Sequence, residues 1–335
     1  MSTLKLDKIT KTVCGNVQIT GSKSETNRLL ILRQFYPELN IHNISNSDDS
    51  VTMQKALNSL SKEINIGHAG TAMRFLTAYF SVKEYSDIIL TGSDRMKNRP
   101  IKILVDALRD LGAQIEYLEK EGYPPLKITG KKLHKNSVEI DGNVSSQYIT
   151  ALLLIAPTLE KGLQITFKGN VTSVPYINMT LQLLKLLNIE YAWEENTISV
   201  KGTSSIKPTN ITVESDWSSA SYYYSIVALN PNSSVKLASY KKNSLQGDSV
   251  LATIYKELGV ETEFESNSLI LKNTNPSSIA PISLNLKNAP DAAQTIAVTC
   301  FGLGIACHLT GLHTLKIKET DRLVALKIEI EKLGG

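Results

Sequence analysis

The sequence predicts an α/β protein of two domains built from repeated α–β–β units. Three observations lead there. The chain has 335 residues, and at roughly 100–200 residues per domain two domains fit better than one or three. Hydrophobic residues make up 42% and charged residues 20%, a balance that supports a buried core rather than disorder. A helix-like segment ending in Leu-Gly, or a near equivalent, recurs along the chain, each time ahead of two strand-like runs.

The copies come in order. Residues 104–112 precede runs at 113–117 and 126–129. Residues 179–187 precede 189–193 and 197–200. Residues 250–259 precede 260–264 and 268–271. Residues 51–60 read as a degenerate copy leading to 64–66. The helices carry apolar residues at 3- and 4-residue steps, and the closing Gly suits a left-handed C-cap. The runs alternate or are β-branched, as strands do. Residues 323–333 read as the same helix again, and the chain stops at Gly334-Gly335 without two following strands. A chain ending inside a unit is therefore expected, with the second domain incomplete.

Composition excludes several classes. Lys plus Arg is 36 and Asp plus Glu is 32, a formal net charge of +4. The bases form no run of five, and aromatics are only 6%. A clustered basic face for nucleic acid is not expected, whereas a basic pocket for a small anion needs only a few well-placed cations. No stretch nears the ~18 apolar residues of a membrane span, and residues 1–13 look like neither a signal nor a transit peptide. Three cysteines, Cys14, Cys300 and Cys307, without CxxC, fit a reducing cytosol rather than a disulfide scaffold. The adjacent Cys307-His308 match no common metal-ligand spacing. No metal or cofactor is expected, and the localisation expected is cytoplasmic.

Several segments could carry chemistry. Gly21-Ser22-Lys23-Ser24-Glu25-Thr26-Asn27-Arg28 lies between a strand-like run and the apolar helix 29–35. Hydroxyls and cations at such a turn suit an anion, since backbone N–H groups and the helix dipole favour negative charge; an ordinary N-cap with exposed bases would look alike. The turn from Gly67 to Arg74 offers small residues through which a ligand can approach the backbone, as does close helix packing. Arg95, Lys97 and Arg99 precede Pro100, expected in the first turn of a helix from Ile101. There the cations would oppose the dipole unless an anion, or a carboxylate such as Asp94, compensates. Ser145-Ser146-Gln147, Ser173 ahead of Pro175 and Tyr176, and Asp216 read first as caps. Asp291 reads as a helix-start cap too. Lys318-Glu319-Thr320-Asp321-Arg322 is bland on a solvated face, but beside Asp291 in a cleft it would supply an acid–base pair flanked by cations.

Each motif alone is weak; their order is specific. GSKSETNR, AGTAMR, TGSDRMKNRP, SSQYITALLL, VPYI, DWSSASYY, NSLQGD, PDAAQT and KETDR follow one another across essentially the whole chain. This series closely resembles the 5-enolpyruvylshikimate-3-phosphate synthase family. The resemblance implies the two-domain inside-out α/β barrel of enolpyruvyl transferases, with residues 22–214 as the complete domain and 1–21 with 215–335 as the second. It implies transfer of the enolpyruvyl group of phosphoenolpyruvate to the 5-hydroxyl of shikimate 3-phosphate, with loss of phosphate and no cofactor, by a monomer.

The resemblance also assigns roles. Lys23 and Arg99 would grip phosphoenolpyruvate, Arg322 would reach its carboxylate, and Gly70 would let the backbone approach it. Lys23, Ser24, Arg28, Ser145, Ser146, Ser173 and Tyr176 would hold shikimate 3-phosphate, with Gln147 between the two substrates. Asp291 would deprotonate or orient the 5-hydroxyl. Glu319 would move the proton at the methylene carbon, and Lys318 would steady the hydroxyl and the developing charge. His68, Phe75, Thr314 and Lys316 depart from the usual pattern. The absent tail should remove an Arg and a Lys from the site, so a form that binds both ligands without turnover is an alternative. A sister transferase acting on UDP-N-acetylglucosamine is another, though its loop cysteine has no counterpart here.

Overall fold

The computed structural model describes Lys5 and residues 11–172, 174–317 and 320–335. The chain divides into two compact units, one of Thr20–Glu214 and one of Met1–Ile19 with Ser215–Gly335. We refer to these as the continuous and the split unit.

The split unit contributes the first strand, β1 (Cys14–Gln18). The continuous unit follows with α1 (Lys23–Phe35), β2 (Leu39–His42), α2 (Asp48–Leu57), β3 (Glu63–Asn65) and α3 (Gly70–Val82). Next come β4 (Asp87–Thr91), the short α4 (Asp94–Lys97), α5 (Lys102–Asp110), β5 (Gln114–Tyr117) and β6 (Leu126–Thr129). It ends with β7 (Ser137–Asp141), α6 (Ser146–Ile155), β8 (Leu163–Lys168), α7 (Val174–Leu186), β9 (Tyr191–Glu194), β10 (Thr197–Val200) and β11 (Thr209–Thr212). The split unit resumes with α8 (Trp217–Leu229), β12 (Ser234–Ala238), α9 (Leu251–Glu257), β13 (Val260–Glu265) and β14 (Ser268–Asn273). Then follow β15 (Ile282–Asn285), α10 (Ala293–Gly302), β16 (Cys307–Thr310) and α11 (Arg322–Lys332).

The expected repeat is visible in the sheets. Three four-stranded sheets, β3-β4-β6-β5, β7-β8-β10-β9 and β1-β12-β14-β13, share one design. In each, a parallel pair joins an antiparallel hairpin. The helix before each hairpin (α5, α7 or α9) ends ahead of a left-handed residue: Gly112 at φ 106°, Asn188 at φ 59°, Gly259 at φ 82°. Asn tolerates that region nearly as Gly does, which is why Leu187-Asn188 stands in for Leu-Gly. Two smaller parallel pairs, β2 with β11 and β15 with β16, complete the described strands.

Strand burial alternates, as in β7 and β8, so one face of each sheet covers the core and the other meets solvent. Two of the helices behind them, α3 and α6, are buried nearly all round. In α3 every residue from Ala72 to Ser81 is buried, and in α6 every residue from Tyr148 to Ile155. Such unbroken apolar helices belong inside a unit; α3 packs on α6, α6 on α7, and α1 on α2 and α3. At the other extreme α11 buries no residue. No helix among the described residues is long and apolar enough to cross a membrane.

Candidate active site

In the continuous unit the GSKSETNR segment is itself helical. The sequence reading began the helix at Leu29, but α1 starts at Lys23, with Ser22 as N-cap and no side-chain capping bond. The first-turn N–H groups therefore keep their capacity to meet an anion. Lys23 is exposed, and among the described residues it has no hydrogen-bond or ion-pair partner. Arg28, one turn further in, is only 4% exposed. Its Nε donates to Thr180 (2.8 Å), Nη1 to the Ser24 carbonyl (2.7 Å), and Nη2 to Thr150 (3.3 Å) and the Tyr176 carbonyl (3.2 Å). Burial lowers its pKa to about 10, so the guanidinium keeps its proton at neutral pH. The arrangement ties Ser24 and Tyr176, both expected ligand contacts, to one buried cation.

The second cation comes from the 92–101 stretch, where the structure corrects the expected helix start. Arg95 and Lys97 do not face a helix N-terminus; they lie in the last turn of α4, where cations suit the dipole. Ser93 caps α4, accepting from the Met96 N–H at 3.3 Å. Lys97 pairs with Glu119 at 2.6 Å rather than with Asp94, and Pro100 precedes the α5 N-cap, Ile101. That leaves Arg99 outside both helices. Its guanidinium lies against the α-carbon of Gly70, the first residue of α3. A Cβ there would sit 2.8 Å from Arg99 Cζ and Nη2 and closer still to Nη1. Glycine at 70 is thus required for the arginine to approach. Among the described residues the Arg99 guanidinium has no hydrogen-bond or ion-pair partner.

Gln147 ties a third helix start to these. Its Nε2 donates to Thr71 Oγ1 at 3.3 Å, next to Gly70. Ser145 caps α6, accepting from the Gln147 N–H at 3.4 Å. Ser145 is exposed and Ser146 half-buried. Ser173 lies outside the described residues; Tyr176 stands three residues on, in the first turn of α7.

The split unit carries the remaining candidates. Lys318 and Glu319 lie outside the described residues. Asp291 sits in a 3-10 turn, Pro290–Ala292, ahead of α10 and makes no capping bond, contrary to the cap reading. Its Oδ1 instead accepts from Arg322 Nη1 at 3.0 Å. Arg322 opens α11, whose cap is Asp321, accepting from Leu323 N (3.1 Å) and Val324 N (3.2 Å). A carboxylate and a guanidinium expected in separate roles are here joined.

Four side chains escaped the sequence reading. Thr150 and Thr180 hold Arg28, and Arg74 and Tyr148 converge on the Pro100 carbonyl, at 2.8 and 2.6 Å. Arg74 and Tyr148 stood inside recognised motifs, AGTAMR and SSQYITALLL. The available signal was a cation within an otherwise apolar helix, which must find polar partners once buried.

Among the described residues, the side chains of Lys23, at the start of α1, and Arg99, beside the start of α3, have no partner, an arrangement open to a small anion on an αββ scaffold. The comparisons with known proteins narrow this. Residues 38–335 match the model of "EPSP synthase (3-phosphoshikimate 1-carboxyvinyltransferase)". A 3-phosphoshikimate 1-carboxyvinyltransferase of Bacteroides fragilis strain YCH46 is 45% identical over 321 residues, covering 96% of this chain and 78% of the relative. One of Shewanella pealeana is 35% identical, covering 100% of this chain and 84% of the relative. A solved EPSP synthase of Acinetobacter baumannii superposes with a TM-score of 0.76 at 20% identity, over 94% of this chain and 77% of that one, a likeness of fold. The chain belongs to the EPSP synthase family.

Proposed function

We propose that this chain transfers the enolpyruvyl group of phosphoenolpyruvate to the 5-hydroxyl of shikimate 3-phosphate, releasing inorganic phosphate. It is a transferase of the shikimate pathway, serving aromatic amino acid biosynthesis. The observation that carries the site assignment is the pair Lys23 and Arg99. Both are cations whose side chains have no hydrogen-bond or ion-pair partner among the described residues, at or beside the starts of α1 and α3.

In this reading Lys23, Arg99 and the backbone at Gly70 hold the phosphate of phosphoenolpyruvate, with Arg322 directed to its carboxylate. Arg and carboxylate can meet through two parallel hydrogen bonds, which fixes orientation as well as affinity. Ser24, Arg28, Ser145, Ser146, Ser173 and Tyr176 hold shikimate 3-phosphate, and Gln147, bonded to Thr71, stands between the two. Asp291 takes the proton of the 5-hydroxyl as its oxygen bonds to C2 of phosphoenolpyruvate. Glu319 delivers a proton to C3, and Lys318 steadies the developing charge. The tetrahedral intermediate then loses phosphate as the C2–O bond breaks and Glu319 takes a proton back from C3. Holding two substrates in register can contribute several kcal/mol, up to roughly 7–11 in well-oriented models, and each acid–base step about 10²–10⁴-fold.

We place the protein in the cytoplasm as a monomer; its three cysteines are free thiols. The deciding measurement is phosphate release from phosphoenolpyruvate, with and without shikimate 3-phosphate. Release that requires the acceptor is expected. Calorimetric binding of both ligands with no release would instead mark a form that captures them without turnover.

A further inference from the structure

Arg74 has no part in the reaction as described, yet it is a guanidinium only 4% exposed. Among the described residues it has no carboxylate partner. A buried charge without a counter-ion is costly, and an apolar residue would fill the same space in α3 more cheaply. Burial indeed lowers its pKa, and the nearby charge of Arg99 lowers it further.

Its partners indicate what it does. Nη2 donates to the Pro100 carbonyl at 2.8 Å, and Nη1 to the Gly70 carbonyl at 3.2 Å. One side chain thus bridges the residue beneath the Arg99 guanidinium and the residue that follows Arg99 in the chain. Tyr148, 6% exposed and adjacent to Gln147 in α6, donates its hydroxyl to the same Pro100 carbonyl at 2.6 Å. Its ring centroid is 5.9 Å from Arg74 Cζ. On the other side of Pro100, the Ile101 N–H donates to the Gly122 carbonyl at 2.9 Å. Arg99 itself has no hydrogen bond to hold its side chain, so its position is set through the backbone of the next residue.

We propose that Arg74 and Tyr148 are positioning residues for the transfer: they pin the Pro100 carbonyl and so fix the Arg99 guanidinium over Gly70, where it receives phosphoenolpyruvate. The inference rests on the reading that Arg99 contacts that substrate. Misplacement by about 1 Å is enough to lower a rate by roughly 10²-fold, so loosening this anchor has a large effect without any loss of charge at Arg99.

The test compares Tyr148→Phe, Arg74→Lys and Arg74→Met with the parent. It measures kcat, KM for each substrate and the thermal midpoint, and repeats the set in an Arg99→Lys background. Tyr148→Phe keeps the ring and removes only the hydroxyl, so it decides the matter even where an Arg74 variant does not fold. The expected result is a rise of about tenfold in KM for phosphoenolpyruvate, with KM for shikimate 3-phosphate within twofold. Arg74→Lys should fall between the parent and Arg74→Met. In the Arg99→Lys background the added effect should vanish, since all act through one group. Equal changes for both substrates, or an undiminished effect in the Arg99→Lys background, would overturn the proposal while leaving Arg99 in its role. An unchanged phosphoenolpyruvate KM in Arg99→Lys alone would overturn the underlying reading, and the proposal with it.

Discussion

The two units solve the same packing problem with different interiors. In the continuous unit the buried helices meet around two arginines, Arg28 and Arg74, bonded to hydroxyls and carbonyls. In the split unit the polar contacts among α8, α9 and α10 are neutral. Ser221 bonds Thr295 at 2.8 Å, Ser225 bonds Thr299 at 2.8 Å, and Tyr255 meets Thr299 at 2.8 Å, between α8, α9 and α10. Trp217 packs edge-on to Tyr240, at 5.2 Å between centroids, and Tyr224 lies 5.0 Å from Tyr255. One αββ template thus accepts either a cationic or a hydroxyl-and-aromatic core. The difference lies in what each presents: among the described residues, the partnerless side chains of Lys23 and Arg99 in one unit, the Asp291–Arg322 pair in the other. In the proposed reading the first receives an anion and the second handles a proton.

The contrast can be broken by substitution. The largest effect should come from Arg99→Ala, which removes a guanidinium that bonds to no group among the described residues. Catalytic efficiency toward phosphoenolpyruvate should fall by roughly 10²–10³-fold, typical of one lost electrostatic contact, with the thermal midpoint unchanged. A large drop in midpoint would show that Arg99 belongs to the packing after all. Next, Arg28→Met should destabilise by about 3 kcal/mol in urea unfolding, because it removes the hydrogen bonds of a buried guanidinium to Thr180, Thr150 and the Ser24 and Tyr176 carbonyls. Thr299→Val, its neutral counterpart in the split unit, should cost only about 1–2 kcal/mol. Equal costs for these two would erase the distinction between the interiors. Smallest of all, Lys102→Ala removes exposed pairs with Asp106 and Glu121. The unfolding midpoint should not shift measurably, since exposed ion pairs contribute little.

Local signals carried most of the fold into the sequence. The hairpins after α5, α7 and α9 were legible because each is announced by a left-handed residue and a change from helical to alternating periodicity. The pairing of β2 with β11 was not, since Leu39 and Thr209 are brought together only by everything between them. The short helix α4 was missed because a Pro six residues past Asp94 drew the helix start to itself, although Ser93-Asp94 is a good cap. Among site residues, the cations at helix starts stood out through charge and spacing. Arg74 did not, because its motif reads as helix and only tertiary contact reveals which carbonyls it reaches. Asp291 was read as a cap, since an acid beside Pro usually is one. Nothing local announces that its partner is thirty-one residues away.

The parallel pairing of β1 with β12 also sets an order of events during synthesis. Cys14 aligns with Ser234, so β1 must wait for a partner 220 residues later. At about 5–20 residues per second of translation, that is a delay of roughly 10–45 s. Throughout it, the whole continuous unit, from Thr20 to Glu214, leaves the ribosome. The nascent chain therefore carries the whole continuous unit with a strand still unpaired ahead of it. The edge destined to receive that strand does not yet exist.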